Sequence, residues 1–259
     1  AYKMNKRMFF VPGCVIGILM ALFFWASPVR ATEDFRAQAL FRKAALAYAD
    51  GQFGEAVRFY EEILVNGLES AAVDYNLGIA FFKQGQLGKA VVHYLRAAAL
   101  TPRDADIRAN LVFARGLVEN YKPFFENRNV LRLFPIRDVS ADELKWTAFI
   151  FFMLMGILFL VGAYSGAKGK RFATVTIFSV LLFAYFFSSA VMKSIVERGH
   201  AVCVIRTEAR FEPLKEGTVY FQLPEGTEIR VLREKDGWLK IERSDGKTGW
   251  VPADTAERI

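Results

Sequence analysis

WTAFIFFMLMGILFLVGAY, residues 146–164, and FATVTIFSVLLFAYFFSSAVM, residues 172–192, contain no charged side chain. A helix rises about 1.5 Å per residue, so about 19–21 residues cover the ~30 Å hydrocarbon core of a bilayer. Between the two lies a short basic connector, Ser165-Gly166-Ala167-Lys168-Gly169-Lys170-Arg171. Two spans joined by so short a turn form a transmembrane hairpin. Everything before it and everything after it then lies on one side of one membrane. The loop 165–171 is read as cytoplasmic, because short positive loops stay inside. Neither span holds Asp, Glu, Lys, Arg or His. Transport and proton-relay pathways are built on such groups, so the hairpin reads as an anchor and a packing surface.

Upstream, Ser140-Ala141-Asp142-Glu143 is a capping box, serine followed three residues later by glutamate, and it starts the first spanning helix. Trp146 follows at the depth where indole prefers the interface. Residues 120–145 read as a juxtamembrane linker. In it, Val130-Leu131-Arg132-Leu133-Phe134-Pro135 mixes apolar and basic residues. That segment either lies among lipid headgroups or packs as an ordinary linker.

The N-terminus carries Lys6-Arg7, an apolar run Met8–Trp25 and then Val29-Arg30-Ala31. This is the order of a secretory signal, and residues 1–31 are read as one, with cleavage expected after Ala31. The alternative is an uncleaved third span. Either version exports residue 32 onward, in agreement with the basic loop of the hairpin. Loss of the signal removes Cys14 and leaves Cys203 alone, so the mature chain has no internal disulfide to form.

Residues 32–119 repeat with a period of 34: Asp50-Gly51-Gln52-Phe53-Gly54-Glu55-Ala56-Val57 recurs as Gln84-Gly85-Gln86-Leu87-Gly88-Lys89-Ala90-Val91, and Tyr60 recurs as Tyr94. This resembles the tetratricopeptide repeat. The second copy carries the family's pattern at Asn76-Leu77-Gly78, Ala80-Phe81, Gly85, Ala90, Tyr94, Ala97 and Pro102. The first copy has Leu68 where the closing proline belongs, and the third has only its first helix. The small residues allow close helix contact, and Pro102 stops a helix. The resemblance implies a partner-binding groove on the first helices. Tyr75, Ile79, Phe82 and Lys83 would line it in the second repeat, with Phe41 and Tyr48 in the first. The alternative is that these aromatics fill the core of a short array. His93, on a second helix, is read as structural or solvent-facing rather than as a ligand.

After the hairpin the periodicity changes to alternation: Val219, Phe221, Leu223; Ile229, Val231; Leu239, Ile241. Asp236-Gly237 and Asp245-Gly246 mark hairpin turns. Short strands of this kind over residues 199–257 indicate a small all-β barrel. The stretches Leu223-Pro224-Glu225-Gly226-Thr227, Gly237-Trp238 and Gly246-Lys247-Thr248-Gly249-Trp250-Val251-Pro252 resemble the bacterial SH3 domain. Ala209-Arg210-Phe211-Glu212-Pro213 departs from its usual first loop. With Leu239 and Ile241 inward, Trp238 points out. Trp238, Trp250 and Pro252 then belong to a face for extended ligands, although Trp250 could equally close the core. Cys203 reads as an inert strand residue and His200 as the entry to the module.

The fold class is therefore a multidomain membrane protein: an all-α tetratricopeptide array, a two-helix transmembrane hairpin and a small all-β SH3-like barrel. The chain is 53% hydrophobic with mean hydropathy +0.21, and its net charge of +7 is scattered, which argues against nucleic acid as a partner. No metal-ligand cluster, phosphate loop or nucleophile elbow is present, so no cofactor is implied and the chain does not read as an enzyme. The order of signal, repeats, hairpin and SH3 module resembles the E-type Bat (Bacteroides aerotolerance) proteins. That resemblance implies company: Bat proteins with von Willebrand A domains and a MoxR-type ATPase. The expected function is a periplasm-facing, inner-membrane adaptor that binds other proteins. The alternative is an envelope sensor that binds peptidoglycan.

Overall fold

The computed structural model describes residues 30–122, 138–165, 169–197 and 199–259. Most of the segment read as an export signal, residues 123–137 of the expected linker and Gly166–Lys168 of the basic loop lie outside the described residues.

Five helices form the repeat region: α1 (Arg30–Ala49), α2 (Phe53–Val65), α3 (Ala71–Lys83), α4 (Leu87–Leu100) and α5 (Ala105–Gly116). Their order follows the 34-residue period. The turns α1–α2 and α3–α4 pass through Gly51 and Gly85, at φ 75° and 77°, a conformation that a side chain would strain. The small residues do what the pattern predicts. Ala44, Ala56, Leu77, Ala80, Ala90 and Ala97 are fully buried. At Gly78 a Cβ would stand 2.7 Å from the Tyr94 ring, so α3 and α4 meet through the missing side chain. His93 is buried, with Nδ1 2.8 Å from Asp74 Oδ1 and its ring stacked on Phe81 at 5.3 Å. It braces α4 against α3. Helix α4 ends at Leu100, just before Pro102. Asp104 opens α5 by accepting from the backbone N–H groups of Asp106 and Ile107 at 2.9 and 3.1 Å.

Two long helices follow, α6 (Ala141–Ser165) and α7 (Lys170–Glu197), packed side by side. The capping box forms: Ser140 N donates to Glu143 Oε2 at 2.8 Å and Glu143 N donates to Ser140 Oγ at 3.1 Å. Each helix is long and apolar enough to cross a membrane. Only 11% of each apolar window is buried, unlike the core helix of a soluble domain. Their shared face holds Phe151 stacked on Phe186 at 5.6 Å. At the far end, Lys193 Nζ donates to Val139 O at 2.8 Å, tying the exit of α7 to the entry of α6. Glu143 in the first turn of α6 pairs with Arg103 between α4 and α5.

The C-terminal module is a seven-stranded antiparallel barrel: β1 (His200–Cys203), β2 (Thr207–Arg210), β3 (Val219–Leu223), β4 (Glu228–Lys235), β5 (Trp238–Arg243), β6 (Thr248–Pro252) and β7 (Ala256–Arg258). The spatial order is β3-β2-β6-β5-β4-β1-β7. Asp236 and Gly237 both take positive φ, 49° and 78°, the turn that matches strand twist in a two-residue hairpin. Ala201, Cys203, Ala209, Leu223, Ile229, Leu239, Ile241 and Val251 make the core. Burial pushes the Cys203 thiol up to about 12, so the reading of an inert strand cysteine stands.

Candidate binding surfaces

The helical array and the barrel pack directly on each other. Gly88, second residue of α4, donates its N–H to Glu225 Oε1 at 2.7 Å. A Cβ there would lie 2.6 Å from Cys203 O and 2.7 Å from Val204 Cα, so two backbones meet at this point. Below α5, the Glu228 carboxylate is buried, its side chain 1% exposed. Arg115 Nε donates to its Oε1 at 2.7 Å, and Tyr121 Oη donates to the same oxygen at 3.1 Å. Arg96 pairs with Glu257 at 2.9 Å and donates to Arg258 O at 2.6 Å. Val202 joins the helical core, and Gly226 sits where a Cβ would press on Val118. The barrel thus lies on α4 and α5, the last two helices of the array among the described residues. His200, at the mouth of β1, is mostly buried. Burial first, then the charges of Arg230 and Arg115, hold its imidazole down to about 3, so it stays neutral.

The residues assigned to the repeat groove are half-buried rather than sealed in. Phe41 packs edge-on against Tyr60 at 5.4 Å and Tyr48 against Phe53 at 5.3 Å, each within its own repeat. Tyr75 and Phe82 reach across to α5. Asn110 Nδ2 donates to Tyr75 Oη at 2.7 Å, and Phe82 meets Phe113 edge-on at 5.8 Å. Burial, followed by the charges of Asp106 and Asp104, raises the Tyr75 hydroxyl above its ordinary range. Ile79 is half-buried on the same helix, and Lys83 is exposed. The sequence reading missed the third-repeat members of this face. Phe113 and Leu117 are 58% and 52% exposed, and each stands 34 residues after Ile79 and Lys83. The period alone would have found them.

On the barrel, Leu239 and Ile241 point inward while Trp238 and Lys240 lie on the outer face. The register pairs Trp238 with Pro252 and Lys240 with Trp250, so Trp238, Trp250 and Pro252 share that face. Trp250 is half-exposed and does not belong to the core cluster. It borders a shallow cleft of about 470 Å³ with Phe211, Tyr220, Lys240, Lys247 and Thr248. Phe211 and Tyr220, not assigned to the face by the sequence reading, pack ring to ring in a tilted arrangement with centroids 4.4 Å apart. Phe211 comes from the first loop, whose sequence departs from the family pattern, and Tyr220 from β3.

The TPR repeat family model matches residues 69–115, and the bacterial SH3 domain model matches residues 207–257. No curated protein matches the chain. Both modules are interaction modules without catalytic machinery of their own. Their matched segments contain Tyr75, Ile79, Phe82 and Lys83 of the expected groove and Trp238, Trp250 and Pro252 of the expected face.

Proposed function

We propose that the chain is a membrane-anchored adaptor that holds partner proteins on the periplasmic face of the inner membrane. The groove formed by Phe41, Tyr48, Tyr75, Ile79, Phe82 and Lys83 takes one partner segment. The barrel face of Trp238, Trp250 and Pro252 takes another. The observation that carries this reading is the seam between the modules. Two interaction modules that flank a hairpin in sequence share one buried interface, so both faces are presented in fixed relation beside the membrane. Two weak sites held at fixed spacing gain avidity through effective concentration. The periplasmic side is supported by the short basic loop, residues 165–171, and by the positive start of the export signal. By resemblance of the whole-chain order, the partners belong to a Bat-type complex with von Willebrand A domain proteins and a MoxR-type ATPase, serving aerotolerance or envelope stress.

The test is recovery of partners from detergent-solubilised membranes. Trp238→Ala and Lys83→Glu each weaken it while the thermal unfolding curve stays unchanged. Undiminished recovery with both variants refutes the adaptor reading. A reporter fused at the C-terminus that is active only in the cytosol refutes the orientation. A second reading, binding of peptidoglycan, is favoured by the exposed aromatic cluster on a bacterial SH3 domain. Co-sedimentation of the full chain in detergent with purified wall sacculi tests it.

A further inference from the structure

The charges around the barrel face differ from one another in their partners. Asp245, at the edge of the cleft, is gripped by Arg243 through two contacts of 3.0 and 2.5 Å. Glu208 is bound to Arg210 at 2.9 Å, and Glu242 lies 3.6 Å from Arg230. The carboxylates nearest the face are therefore already neutralised by arginines. Lys240 and Lys247 have no carboxylate within 4.0 Å among the described residues. Lys240 stands across the ladder from Trp250. Lys247 lies over the Tyr220 ring at 5.8 Å. The cleft between them is floored by Trp250 and walled by the Phe211–Tyr220 pair, 57% and 41% exposed.

Building on the reading of this face as a ligand surface, we propose that it takes an extended acidic peptide segment of a partner protein. Prolyl or other apolar residues would lie on Trp250, Tyr220 and Trp238, and carboxylates would reach Lys240 and Lys247. An extended chain places successive side chains on alternate sides, so apolar residues can face the rings while acids turn to the flanking lysines. Aromatic rings give contact area at low entropy cost, and unpaired lysines give charge complementarity and selectivity. The carboxylates of a wall strand sit on its short stem peptides, away from the sugars that would stack on the rings, whereas one extended acidic chain brings apolar groups and carboxylates to the rings and the two lysines in alternation. The charge pattern therefore favours a polypeptide.

The probe is a short fluorescein-labelled peptide of alternating proline and glutamate, titrated into the full chain in mild detergent and read by anisotropy. A glutamine version and a lysine version are run beside it. The acidic peptide binds on the order of tenfold more tightly than the glutamine version, the scale of two exposed ion pairs, and added salt erases that margin. The double variant Lys240→Glu/Lys247→Glu inverts the order and selects the lysine peptide. Trp250→Ala weakens all three. Equal binding of the acidic and glutamine peptides overturns the acidic class while leaving the adaptor reading intact. Absence of binding by every peptide, together with loss of wall co-sedimentation in the Lys240→Glu/Lys247→Glu variant, overturns the proposal in favour of a wall ligand.

Discussion

Replacing Gly88 with alanine gives a change whose sign depends on whether the two modules are docked. Gly88 is the second residue of α4 and its φ lies outside the left-handed region, so alanine fits its backbone. On an isolated helix this substitution stabilises by up to ~1 kcal/mol, because glycine is the poorer helix former and the freer residue when unfolded. In the docked chain the new methyl meets Cys203 O at 2.6 Å and Val204 Cα at 2.7 Å. Both are backbone atoms of the barrel, so neither can swing aside as a flexible side chain would. The barrel must move by most of an ångström, which stretches the Gly88–Glu225 and Arg115–Glu228 contacts. Overpacking of this kind costs ~1–3 kcal/mol. Subtracting a helix gain of ~1 kcal/mol leaves a net loss of about 0–2 kcal/mol. Urea unfolding of the full chain in a nonionic detergent, followed by tryptophan emission and by helical circular dichroism, measures it. A lower midpoint in both signals is expected. A midpoint raised above that of the unmodified chain, by the ~1 kcal/mol of an unhindered helix, refutes the docked arrangement.

Arg115→Ala leaves the buried Glu228 carboxylate with only the Tyr121 hydroxyl, and is expected to cost about 3 kcal/mol in thermal unfolding; pairing it with Glu228→Leu recovers most of the loss, because removing both charges also removes the uncompensated one. Gly78→Ala drives a methyl into the Tyr94 ring at 2.7 Å and lowers stability by about 1–3 kcal/mol, read from the helical signal. Asp245→Asn carries a defined pH signature. The Arg243 hydrogen bonds hold the carboxyl down to about 2 from an ordinary 3.8. A depressed carboxylate stabilises above its unfolded value and loses that contribution as pH falls through the folded one. Discounted for its partial exposure, the contribution is about 1 kcal/mol. The stability gap between the unmodified chain and Asp245→Asn should be constant from neutral pH to about 4 and close by about 2.

The elements were legible because each rests on a local rule. The 34-residue period, the uncharged runs and the aspartate–glycine turns report their structures without help from the rest of the chain. The Ser140–Glu143 cap and the outward placement of Trp238 were readable for the same reason. The seam was not. Gly88 reads as one more small residue of a repeat, and Glu228 as a polar strand residue that would be left in water. Their roles depend on a contact between residues 137 positions apart, Gly88 and Glu225, and on one of 113, Arg115 and Glu228. No periodicity carries such information. Phe211 was not placed on the face because the first loop departs from the family pattern, and Tyr220 because only the inward alternation of β3 was read. Phe113 and Leu117 could have been found by carrying the repeat period one copy further.

The seam also bears on why the chain returns across its hairpin. Among the described residues α5 is the last helix of the array, and the neighbour packed on α4 and α5 is the barrel. It packs through a buried carboxylate, an arginine and a backbone-to-backbone approach at Gly88. The Arg115–Glu228 pair and the close approach at Gly88 each fit this one placement of the barrel on the helices. The contact forms only if residues 199–259 lie on the same side of the bilayer as residues 32–122. An odd number of crossings between them would leave Glu228 and Arg115 in different compartments. If either helix crosses a bilayer, the two therefore cross as a pair. This conclusion does not depend on the charges of the loop that joins them.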